Sequence, residues 1–164
     1  MKAQQWLFVL LLLAAALQSM YYYPRLPETV ASHFDGAGNP NGWSSKPAFF
    51  GMYIGMLTLT TCIFAILPAS VTRLPASLIS LPKKDYWLAP ERRGHTETFI
   101  RRQMLWFGIV TLIFNICTIQ LAIRANLLDI HHFSSGSMWT LLGGYCMFTL
   151  VWLVHFISKF RRAL

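Results

Sequence analysis

Acidic side chains are scarce in this sequence, and that scarcity already narrows its class. Six Asp and Glu occur in 164 residues, against fourteen Lys and Arg, and charged residues make up only 12%, where soluble globular domains carry about 25%. The carboxylates that do occur are scattered, so no paired general acid and base stands out. HExxH, Walker and nucleophile-elbow motifs are absent as well. An enzyme is therefore not expected. Cysteine is equally sparse: Cys62, Cys117 and Cys146 all fall inside hydrophobic runs, with no CxxC or Cys/His spacing. No disulfide framework follows from them and no zinc-ribbon spacing is present, so the thiols are expected to be small apolar packing groups. No repeat period and no low-complexity tract occurs.

What is abundant is apolar surface. Hydrophobic residues reach 55%, aromatics 15% and mean hydropathy +0.46, more than a soluble core of this size needs. The expected fold class is all-α: an integral membrane four-helix protein, one membrane domain over 1–164, with an ordered extracytoplasmic loop. Four runs are long enough to cross about 30 Å of hydrocarbon at 1.5 Å per residue, at about 4–23, 47–67, 104–123 and 138–157. The first could be a cleaved secretory signal, but Trp6 and the triplet Tyr21-Tyr22-Tyr23 bracket it as interfacial anchors do, which favours an uncleaved span. The second begins at Pro47 behind Ser44 and Ser45, both suited to an N-cap, and is expected to stop at Pro68. Within it, Gly51-x-x-x-Gly55 allows a neighbouring helix to approach closely. In the third, Gly108, Thr111, Asn115 and Thr118 share one helical face, and Asn115 is expected to hydrogen-bond another helix. Gly51, Gly55 and Asn115 are thus the candidate helix-packing residues. Gln120 is expected to reach the interface, and His155 to be interfacial too.

The net charge of +8 would invite a nucleic-acid reading if it were spread over a face. Instead, seven of the fourteen basic residues lie between Arg73 and Arg102, and three more in the last six positions. Flanking hydrophobic runs in this way is the pattern of cytoplasmic positive charge, so nucleic acid is not expected as a partner and the lipid bilayer is. Counting basic residues in the connections puts both termini in the cytoplasm, with a basic cytoplasmic loop at 68–103 and an extracytoplasmic loop at 24–46. The Asp129 to Ser137 connection then lies outside with the latter. Within the basic loop, Tyr86, Trp87 and Leu88 suit a segment lying on the membrane surface, and Pro90 with Glu91 suits the start of a helix running into the third span. A protein partner on either side and a homo-oligomer are both compatible with this layout.

The stretch from Leu26 to Lys46, LPETVASHFDGAGNPNGWSSK, differs from everything else. It is neither strongly hydrophobic nor strongly basic, and it gathers three of the ten glycines, two prolines and two asparagines, the residues that fix tight turns. Two readings stand beside each other. His33 and Asp35, with Asp129, His131 and His132 expected on the same side, could supply nitrogen and oxygen ligands to a divalent metal. Alternatively these residues build a compact cap, with Phe34 and Trp43 inserting at the interface. Pro40 stands where a calcium loop needs its sharp-turn glycine, and no spacing is diagnostic, so neither a metal nor a cofactor is expected.

The pattern LP-x5-HF-x3-G-x4-W-x-SK, carried here by Leu26, Pro27, His33, Phe34, Gly38, Trp43, Ser45 and Lys46 ahead of a membrane helix, resembles a domain of unknown function found in SdpI-like bacterial integral membrane proteins. The segment LPKKDYWLAPERR at 81–93 is similar to one that accompanies this domain in four-span members. The resemblance implies the bacterial cytoplasmic membrane and, because some relatives are immunity proteins against a secreted toxin, a sensing or immunity-type role with the 26–46 loop as recognition or capping element. The alternative is a small transporter or an accessory subunit of a membrane complex.

Overall fold

The computed structural model describes residues 2–70, 75, 79, 81–128 and 134–161. Helix α1 (Lys2–Tyr22) passes through a single 3-10 turn into a β-hairpin of β1 (Thr29–Phe34) and β2 (Pro40–Ser45). Then follow α2 (Lys46–Thr61), a π-helical turn (Cys62–Ile66), α3 (Leu67–Ser70), α4 (Lys84–Trp87), α5 (Pro90–Leu127) and α6 (Ser135–Arg161). Four of these helical stretches, 2–25, 46–70, 90–127 and 135–161, are long and apolar enough to cross a membrane. The chain is a multi-pass membrane protein by this measure. Large apolar side chains such as Leu10, Leu17, Leu59, Met147 and Val154 are exposed along the helices, as expected of a surface that meets acyl chains rather than water.

The chain is mainly helical, with four helices long and apolar enough to span a membrane, and the loop between the first two is a β-hairpin. Residues 29–34 and 40–45 pair as antiparallel strands: Val30 and Ala31 are buried against the helices, and the Asp35–Asn39 turn closes the register. The span boundaries also move. Pro68 does not end the second span, which continues to Ser70. Proline removes one helical N–H and crowds the preceding turn, and the π turn just before it takes up the misfit, with Leu67 N–H reaching back to Cys62 O. The third span is the tail of a 38-residue helix. Pro90 sits in its first turn with Glu91 beside it, and no residue between there and Leu127 interrupts the helix, so much of what reads as a basic connection is helical.

The core lies where α1, α2 and α5 meet the root of the hairpin. Ala15, Leu26, Val30, Phe49, Phe50, Tyr53, Ala122 and Ile123 form one buried cluster, and Phe8, Leu105, Ile109 and Leu112 a second, nearer the opposite end. Gly108 is the tightest approach. A Cβ there would lie 2.6 Å from Phe64 Cβ and 2.9 Å from Phe8 Cε2, so only glycine lets α1 and the π turn close on α5. Helix α6 sits outside this triangle, buries only Phe160, and is laid against α5 by rings. Phe107 meets Tyr145, Phe148 and Trp152, and Phe114 stacks on Tyr145 at 4.5 Å.

Candidate functional site: the hairpin and its fastenings

The hairpin joins the end of α1 to the start of α2, and its turn is organised by Asp35. One carboxylate oxygen accepts the backbone N–H of Ala37 at 2.9 Å and of Asn39 at 2.8 Å; the other accepts the Asn39 amide at 3.3 Å. Across the loop, Asp35 N–H donates to Asn39 O at 2.8 Å, and Gly38 N–H to Asp35 O at 3.0 Å. Gly38 has φ 93°, a conformation that side-chain-bearing residues rarely adopt. These donors, the Asn39 backbone N–H foremost, favour the ionised carboxylate and hold the Asp35 pKa below its usual 3.8. Asp35 is thus occupied in shaping the turn.

Two bulges frame His33, which pairs with Gly42. A Cβ on Gly42 would lie 3.1 Å from His33 Cβ, so the glycine makes room for the imidazole, which is exposed. Trp43 is 58% exposed. Phe34 is half-buried against the first core cluster, while Leu26 is fully inside it.

A two-stranded hairpin is marginal by itself in water. Three side chains fasten this one. Asn126, near the end of α5, accepts the Ala31 N–H at 2.8 Å and donates to Ala31 O at 3.0 Å, while also donating to Ala122 O at 2.8 Å within its own helix. Its amide stands in for the peptide group of a third strand along β1, satisfying buried backbone groups that an open edge would leave unpaired. Lys46, at the start of α2, is buried; its Nζ donates to Glu28 Oε1 at 2.8 Å and to Leu26 O at 3.3 Å, 5.3 Å from the Tyr23 ring centroid. Its backbone N–H also donates to Glu28 O. Trp139, in the first turns of α6, donates its indole N–H to Gly36 O at 3.0 Å. Ser45 caps α2 by accepting the Ala48 N–H at 3.4 Å, with Pro47 in the first turn. Pro27 is exposed between Leu26 and the strand.

Below the hairpin the helices share a chain of neutral polar groups. Tyr53 donates to Gln18, Gln18 donates to Gln120, and Gln120 donates to Tyr22, at 2.8, 2.8 and 3.1 Å. Gln120 does not reach outward as the sequence suggested; the uncharged network gives its amide inward partners. Asn115 is buried and donates to Thr60 at 3.3 Å, and Thr111 meets Tyr145 at 3.0 Å. Gly51 and Gly55 face open space, and among the described residues nothing lies within 4 Å of a Cβ built at either.

The candidate residues divide accordingly. Leu26, Phe34, Gly38, Ser45 and Lys46 hold the hairpin and its helix together, whereas His33 and Trp43 point outward. The fastening residues Asn126 and Trp139 escape a reading of the sequence, since both lie about a hundred positions away and neither belongs to a local pattern. Among the described residues, no group of three or more His, Cys, Asp and Glu could hold a metal. Asp129, His131 and His132, the remaining members of the conceivable metal set, lie outside the described residues.

Residues 9–57, comprising most of α1, the hairpin and the larger part of α2, match the model of a family described as Domain of unknown function (DUF1648). No curated protein and no solved structure matches the chain.

Proposed function

We propose that this chain is a non-enzymatic membrane protein of the bacterial cytoplasmic membrane, resembling SdpI-like proteins, in which the hairpin is an outward-facing recognition element for a sensing or immunity-type role. Both termini face the cytoplasm, following the basic residues that crowd the end of the bundle away from the hairpin. The observation that carries this reading is the division of labour within the hairpin. Its polar fastenings are all turned towards the helices, yet an indole at position 43 and an imidazole at position 33 are left exposed. A large exposed aromatic and an exposed hydrogen-bonding ring on a fixed support are good anchors for a partner. The test is photo-crosslinking from position 43 in native membranes, compared between the otherwise unaltered chain and His33→Ala. A discrete adduct that disappears with His33→Ala, in a protein of unchanged thermal stability, supports recognition. Loss of the folded protein on Trp43→Ala and His33→Ala would instead make these residues part of a cap.

A second reading, an accessory subunit or homo-oligomer, is favoured by Gly51 and Gly55, whose smooth face is unoccupied among the described residues and of the kind that other helices pack against. Disulfide trapping between copies carrying Cys at position 51 separates self-association from assembly with a different protein.

A further inference from the structure

At the end opposite the hairpin, a cavity of about 140 Å³ opens where α4, the start of α5 and the end of α6 converge. Arg92, His95 and Lys159 line it together with Thr96, Trp87 and Phe99, and Phe160 completes the wall. No carboxylate is among them. Glu97, buried nearby on α5, is taken up by Arg93 at 2.7 Å. The cations are positioned rather than loose. Lys159 Nζ stands 5.3 Å from the Trp87 ring centroid and 5.9 Å from that of Phe99. The Arg92 guanidinium lies 3.9 Å over the Tyr86 ring and spends its Nε–H on Tyr86 O at 2.9 Å, which leaves its two terminal amines for another acceptor. Around them the frame is fixed, since Trp87 donates its indole N–H to Phe160 O at 3.1 Å and Thr96 donates to Trp87 O at 2.9 Å.

We infer that this cavity binds a phosphate group, presented by an anionic lipid headgroup or by free phosphate. An oriented guanidinium and an ammonium converging on a small space match the charge and acceptor geometry of phosphate, and basic pockets between membrane helices are suited to phosphate-bearing headgroups. The ring column that leaves the cavity along α6, Phe99 on Phe156 and Phe156 on Trp152 at 6.0 and 5.0 Å, gives an acyl chain an apolar surface to follow. The role is independent of which side of the membrane this end occupies.

The test uses the full chain in nanodiscs of equal phosphatidylcholine and phosphatidylglycerol, with native mass spectrometry of the lipid retained. Arg92→Gln and Lys159→Gln should each reduce retained phosphatidylglycerol about tenfold, the size expected for losing one charge-assisted hydrogen bond. Lys84→Gln, outside the cavity, should not, and Lys159→Arg should restore retention in a protein of unchanged melting temperature. A parallel arm adds inorganic phosphate to the protein in pure phosphatidylcholine. Stabilisation there that is lost in Lys159→Gln, without phosphatidylglycerol enrichment, assigns the site to the free anion. Equal behaviour of Lys159→Gln and Lys84→Gln in both arms overturns the inference.

Discussion

At the hairpin end, Asn126, Lys46 and Trp139 each reach a backbone atom of the hairpin segment, and every polar group they use is answered by a polar group. At the opposite end, Trp87 gives its indole N–H to Phe160 O and Thr96 and Arg92 donate to the carbonyls of Trp87 and Tyr86, but the contact between α6 and this end is otherwise made by rings, with Arg92 and Lys159 laid over aromatic faces. Helix α6 is pinned by one indole bond near each end, to Gly36 and to Phe160, and by stacked rings in between. The contrast teaches that the two ends are built for different tolerances. Hydrogen bonds to buried backbone fix a register and fail sharply when one partner is removed, whereas ring packing gives way gradually and leaves charge available.

The largest loss is expected from Asn126→Ala. It strips partners from both the N–H and the C=O of buried Ala31, and unsatisfied buried groups cost about 1–3 kcal/mol each. A loss of roughly 2–4 kcal/mol is expected, read as a fall in the denaturation midpoint in detergent. Next comes Gly108→Val, which forces a side chain into Phe64 and Phe8. Overpacking of this kind costs about 1–3 kcal/mol, and the same measurement should show it while the hairpin's amide protection is retained.

These two residues also show what the sequence could and could not reveal. Four spans, the Ser45 cap, Pro47 and the helix starting at Pro90 were legible because each rests on a local pattern: an apolar run, a capping residue, a proline in a first turn. The close approach at Gly108 was half legible, since its polar face was visible but not the rings that fill the gap. The hairpin was read as a turn-rich loop because its strands are short, interrupted by two bulges and joined by a turn that holds Gly36 and Gly38. Asn126 was illegible, because an amide near a helix end acquires its meaning only when the fold brings a strand edge beside it. Gly51 and Gly55 carried a recognisable spacing, yet nothing among the described residues meets them.

Smaller effects are expected at Lys46 and Asp35. Lys46→Met should cost about 1 kcal/mol, because Glu28 is largely exposed and an ion pair of that kind is worth little; the readout is again the denaturation midpoint. The Asp35 carboxylate, whose pKa is lowered from 3.8 by the loop's donors, contributes stability that is fully present above that value and is lost as pH falls through the folded pKa. Protection of the Ala37 and Asn39 amides should therefore decline in acid, and Asp35→Asn should remove that dependence. Ring substitutions at the other end, such as Phe99→Leu, should leave both amides unchanged.

The hairpin is fastened to α5 through the Asn126 side chain, which acts as a third strand. Hydrogen exchange at the Ala31 amide in the membrane-reconstituted protein tests this most directly. Strong protection that collapses in Asn126→Ala while the α5 amides around Leu112 stay protected is the predicted result. An Ala31 amide that exchanges freely in the unaltered protein would contradict it.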